Sequence, residues 1–238
     1  MVFLPFEESS YATFAKLSSD KSQEAVSQLK SSLIGALKLI LMIGLVVLAF
    51  GPSYSYALIR ILYGQKWSDG EAPLALRYYC FYVISLAMNG TTEAFLHAVA
   101  NETQLKRSNN WLLIFSAIYI ILNVLLIRSA GAVGLITANS INMLLRIVYS
   151  AVFIKQYFKN SSSFSFRECM PRGWLFLFFS SLTTVISERV FLKREKFWDT
   201  FPIHLSIGVV CFSVSCTAIY SREKQFINRI IRTRKHAD

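Results

Sequence analysis

WLLIFSAIYIILNVLLIRSAGAVGLITANSINMLLRIVYSAVFI, running from Trp111 to Ile154, is the stretch that decides the fold of this 238-residue chain. It contains two apolar runs, Trp111 to Ile127 and Ala132 to Ile154, joined only by Arg128 to Gly131. Each run approaches the ~20 helical residues that cross a ~30 Å hydrocarbon core at about 1.5 Å per residue. With so short a connection, two such helices form a tight antiparallel hairpin.

Four more stretches of the same character flank it: Leu33 to Phe50, Leu74 to Val99, Trp174 to Val190 and Ile203 to Tyr220. The expected fold is therefore all-α, a multi-pass transmembrane helical bundle of about six spans. Tyr54 to Tyr63 is apolar and aromatic but too short to cross, and Gly51-Pro52 and Gly64 bound it. It reads as an interfacial or re-entrant segment. The expected organisation is a cytosolic N-terminal segment (1–32), four helices (33–156), a cytosolic loop (157–173), a terminal helix pair (174–220) and a basic tail (221–238). Ser161 to Ser163 and Pro171-Arg172-Gly173 mark the loop that sets the terminal pair apart.

Composition agrees with a bilayer as solvent: 54% of residues are hydrophobic and mean hydropathy is +0.43, too apolar for an ordinary soluble domain. The net charge of +11 gains its meaning from where the cations sit. Lys16, Lys21, Lys30, Lys106, Arg107, Lys155, Lys159, Arg167, Arg172 and the tail from Arg222 to Lys235 fall on one side. Arg60, Lys66, Arg128, Arg189, Lys193, Arg194 and Lys196 fall on the other, about fifteen against about seven. Positively charged loops stay in the cytosol, so both termini are expected there, although Lys193 to Lys196 runs against the rule locally. The bias is that of a membrane protein and requires no nucleic acid; the tail would also meet anionic headgroups.

Met1 to Phe6 leads into Glu7, Glu8 and a polar stretch, so a cleavable signal peptide is not expected and the first span serves as insertion signal. Asn-x-Ser/Thr sequons at Asn89, Asn101 and Asn160 lie within a span or on the cytosolic side, so none is expected to carry glycan. Cys80, Cys169, Cys211 and Cys216 have neither metal-site nor disulfide-scaffold spacing and read as packing residues.

The chemistry lies in the polar residues of two spans. Asn89, Glu93 and His97 recur every four residues, and Asn139, Asn142 and Arg146 share a stripe by the same logic. A charge deep in lipid costs about 2.5–3.5 kcal/mol on insertion scales, so these groups turn toward each other or toward a wet cavity. On one reading Glu93, Arg146 and the asparagines are interhelical connectors worth ~0.6–2 kcal/mol each. On another they line a hydrophilic cavity, where Arg146 meets phosphate and the asparagines bind sugar or diphosphate oxygens. On a third, Glu93 and His97 relay protons. Lys38, Arg77, Glu188 and Arg189 lie near span ends and are expected to snorkel to the headgroups. Neither a Gly-rich phosphate loop nor an HExxH motif nor a nucleophile elbow occurs, so no enzyme, cofactor or metal site is expected.

Three segments carry a more specific resemblance: Phe6 to Tyr11 (FEESSY) with Phe14-Ala15-Lys16, Tyr79 to Phe95 (YCFYVISLAMNGTTEAF), and Gly134 to Ile147 (GLITANSINMLLRI). Together they resemble the Rft family of endoplasmic-reticulum proteins. That resemblance implies a multidrug/oligosaccharidyl-lipid/polysaccharide exporter-like fold, in which two lobes surround a central cavity. It also implies multi-pass residence in the endoplasmic-reticulum membrane and, as cargo, a dolichyl-diphosphate-linked oligosaccharide moved from the cytosolic to the lumenal leaflet for protein N-glycosylation. Asn89, Glu93, Asn139, Asn142 and Arg146 are the substrate-cavity candidates it designates. Since the likeness is to a C-terminal half, the chain is expected to be a truncated product of a longer protein. Alternatives are an accessory or structural membrane protein supporting N-glycosylation without transport, and a cation-coupled drug exporter. Membrane lipid is a partner on every reading, and the sequence leaves the oligomeric state open.

Overall fold

The computed structural model describes residues 4–20, 22–159 and 164–235. Lys21, the Asn160 sequon, Ser161 to Ser163 and His236 lie outside the described residues, as do the side chains of Arg229, Arg232, Arg234 and Lys235. Among the described residues the order is α1 (Leu4–Ser18), α2 (Gln23–Tyr63), α3 (Gln65–Ser68), α4 (Ala72–Val99), α5 (Glu102–Tyr157), a 3-10 turn (Phe166–Cys169), α6 (Trp174–Phe191) and α7 (Phe197–Lys235). Helices α2, α5, α6 and α7 are each long and apolar enough to cross a membrane. Over its 28 residues α4 covers the second expected span and is not among these four. Two compact units divide the chain, the first holding Met1–Leu41 and Tyr78–Cys169, the second Met42–Arg77 and Met170–Asp238.

In the first unit, α5 breaks into two legs at Ala130 (φ −139) and Gly131 (φ 52). The rings of Trp111 and Phe115 each lie 6.3 Å from that of Tyr149, so the legs return antiparallel as the short connection requires. Near the tip, a Cβ on Gly134 would fall on the Leu126 carbonyl, so only a glycine lets the legs approach there. Gly134→Val is expected to force them apart at about 1–3 kcal/mol. The loss should appear as a lower midpoint of thermal unfolding in detergent, and an unchanged midpoint would contradict the close approach.

The outer surface of the hairpin is apolar, with Leu113, Ile120, Ile121 and Leu125 each at least 60% exposed. Such a surface is stable only against lipid or another apolar partner. The core of this unit sits at one end, where Phe14, Leu29, Leu33, Leu37, Phe95, Ile154, Phe158, Phe164 and Cys169 are buried together. Burial and the neighbouring Glu168 push the Cys169 thiol up to about 12, which fits the reading of this cysteine as a packing residue. Asn101 begins α5 as a cap: its side chain accepts from Gln104 N at 2.8 Å while Gln104 Oε1 accepts from Asn101 N at 3.0 Å.

In the second unit the structure corrects one expectation. Tyr54 to Tyr63 is not a separate re-entrant segment, because α2 continues through Pro52 to Tyr63. Carbonyls around the proline find side-chain donors: Ser55 Oγ donates to Gly51 O at 2.7 Å and Thr184 Oγ1 to Ala49 O at 3.3 Å. Membrane helices tolerate proline where neighbours compensate in this way. Helices α6 and α7 pack antiparallel through polar links, Ser180 Oγ to Ser215 Oγ at 2.7 Å and Ser187 Oγ to His204 Nδ1 at 2.9 Å. Ser53 Oγ donates to Thr184 Oγ1 at 3.3 Å, and the fully buried His204 ring stacks on Tyr54 at 4.3 Å. Tyr54 OH in turn donates to the His204 carbonyl at 2.7 Å.

Candidate functional site

Within the first unit, α4 and the second leg of α5 bring Glu93 and Arg146 together across 53 positions of sequence. Arg146 Nε donates to Glu93 Oε1 at 2.7 Å and Nη2 to Oε2 at 2.8 Å, the two-pronged fit of a planar guanidinium to a carboxylate. Asn89, one turn earlier on α4, donates from Nδ2 to Glu93 Oε2 at 3.1 Å. The side chains of Arg146 and Glu93 keep 26% and 17% of their exposure, so the pair is largely withdrawn from solvent but still approachable.

The other candidates behave differently. Asn142 lies one turn before Arg146, and its Oδ1 is buried with no hydrogen-bond partner among the described residues; Asn89 Oδ1 is in the same position. Buried polar atoms are nearly always satisfied, so each of these two amide oxygens has the capacity to accept from water or a ligand. Asn139 instead donates to the Leu135 carbonyl of its own helix at 3.0 Å and does not join the group. His97 is exposed.

Sequence reasoning passed over Glu7. In α1, its carboxylate occupies the space a Cβ on Gly90 would need, so the glycine between Asn89 and Thr91 admits it to α4. Glu7 and Glu93 repel each other, and burial followed by that repulsion pushes the Glu7 carboxyl above its ordinary value. The only hint in the sequence was its place in the first resembling segment.

A second polar group belongs to the other unit. Arg77, at the start of α4, donates through Nη2 to Glu188 Oε1 near the end of α6. The two residues, expected to snorkel separately, are partners 111 positions apart. Among the described residues, no three histidine, cysteine, aspartate or glutamate side chains are grouped so as to hold a metal ion.

These features define a helical membrane protein with ionic groups gathered between its spans. The match to the family model described as Rft protein extends over residues 1–233, and the chain belongs to that family. It is 33% identical over 237 residues to a Mus musculus protein named Man(5)GlcNAc(2)-PP-dolichol translocation protein RFT1, covering 96% of this chain and 43% of that one. A Xenopus tropicalis protein of the same name is 35% identical over 237 residues, covering 96% of this chain and 44% of its own length. One from Saccharomyces cerevisiae is 33% identical over 171 residues, covering 70% and 30%. The chain thus spans less than half the length of the curated relatives it matches. No solved structure matches it.

Proposed function

We propose that this chain forms the part of a lipid-linked oligosaccharide translocation protein that contacts the polar head of its cargo. The protein would move a dolichyl-diphosphate-linked oligosaccharide from the cytosolic to the lumenal leaflet of the endoplasmic-reticulum membrane, as an integral protein with both termini in the cytosol. The observation that carries this reading is the Asn89, Glu93 and Arg146 cluster, with the Oδ1 atoms of Asn89 and Asn142 buried and unbonded among the described residues. Amide oxygens without donors suit sugar hydroxyls, which are donors. Arg146 Nη1 makes no bond among the described residues and offers its N–H groups to a diphosphate oxygen. Asn139, turned onto its own helix, would join this contact only after releasing the Leu135 carbonyl.

A second reading, an accessory protein that supports N-glycosylation without transport, is favoured by how fully Arg146 and Glu93 satisfy one another, as interhelical connectors do. The two separate in liposomes. Full-length protein purified and reconstituted should accelerate transbilayer movement of the dolichyl-diphosphate oligosaccharide, and Arg146→Ala should abolish the acceleration. Movement no faster than in protein-free vesicles, from protein that still complements a glycosylation-defective strain, would leave the accessory role standing.

A further inference from the structure

The second unit contains a cavity of about 300 Å³, at the lower edge of the ~300–1,000 Å³ typical of small-molecule sites. Pro52, Ser53 and Tyr56 of α2 line one side, and Arg77, Glu188, Arg189 and Arg194 supply its charge. Three guanidinium groups and one carboxylate line it, an excess of two positive charges. Arg77 donates to Glu188 while its Nε is buried with no acceptor, so the carboxylate does not exhaust the donors of that arginine. Arg194 is held over the Tyr56 ring with its guanidinium carbon 5.0 Å from the centroid. Arg189 and Arg194 are exposed, at the cavity rim. Arginine forks match the oxygens of a phosphoryl group, and a partly closed cavity strengthens that attraction relative to open water.

We propose that this cavity binds a phosphoryl group, carried by a lipid headgroup or as free phosphate, with Arg189 and Arg194 as the capturing residues and Arg77 as the inner cation. Glu188 holds Arg77 in place and sets the charge the ligand must meet. The assignment is independent of the proposed cargo contact at Arg146, which lies in the other unit.

The test uses the 238-residue chain purified in detergent, titrated with water-soluble dihexanoyl phosphatidic acid and, separately, with inorganic phosphate. Saturable binding is expected, weakened at least tenfold by Arg189→Gln with Arg194→Gln. Glu188→Gln, which removes the competing charge but keeps a hydrogen-bonding side chain beside Arg77, should tighten binding. Arg128→Gln with Lys159→Gln removes the same charge outside the cavity and should leave binding unchanged. Phosphatidic acid binding tenfold or more tighter than inorganic phosphate would assign the ligand to lipid; equal binding would assign it to the free anion. The proposal falls if neither ligand binds, if the rim variant binds as the unaltered chain does, or if the Arg128 and Lys159 variant weakens binding equally.

Discussion

Arg146→Ala should destabilise the first unit by about 3–5 kcal/mol, because it leaves the Glu93 carboxylate partly buried beside Glu7 with no cation. The existing contact is bidentate, at 2.7 and 2.8 Å, and alanine replaces neither prong. Thermal unfolding in detergent reads the loss directly. The informative comparison is Arg146→Met combined with Glu93→Met, which removes both charges at similar volume and should recover most of the midpoint. Tested for complementation, the paired variant decides between the two functional readings. A cavity that needs the guanidinium predicts a folded protein that fails to complement a glycosylation-defective strain. Restored complementation would reduce the pair to a packing connector.

Phe95→Ala should cost about 3–5 kcal/mol as well, by a different route. Its ring is fully buried, 5.5 Å from those of Phe14 and Tyr157 and 5.6 Å from that of Phe158, so it is the hub on which α1, α4 and the end of α5 meet. Alanine would leave a cavity that these elements, anchored elsewhere, collapse into only in part. Because α1 positions Glu7 against Gly90, the variant should also loosen that contact. Limited proteolysis after residue 18 should quicken along with the fall in the unfolding midpoint; a midpoint within experimental error of the unaltered chain would remove Phe95 from this role.

The spans were legible because lipid demands long apolar runs, and Leu33 to Phe50, Trp111 to Ile127 and Ala132 to Ile154 have no other solvent that would stabilise them. Glu93 and Arg146 were legible as partners because each falls on a helical stripe and lipid leaves an ionic group few alternatives. The path of α2 past Pro52 was not, since proline marks a break unless neighbours supply donors, and one of those donors, Thr184, becomes a neighbour only in the folded chain. Arg77 with Glu188 was hidden for a related reason: periodicity orders residues along one helix and carries no information about a contact 111 positions away. Asn139 shows the opposite error, because a shared stripe gives proximity but not the direction of the amide, which binds its own backbone.

The serine, threonine and histidine links between α6 and α7 have a mechanical consequence. Sliding one helix along the other by a turn would strand Ser180, Ser187, His204 and Ser215 in an apolar interior, so the pair tolerates a single longitudinal offset. Grease alone would permit several. In bilayers of different thickness the pair should therefore hold its relative alignment while the surrounding acyl chains stretch or compress to fit it.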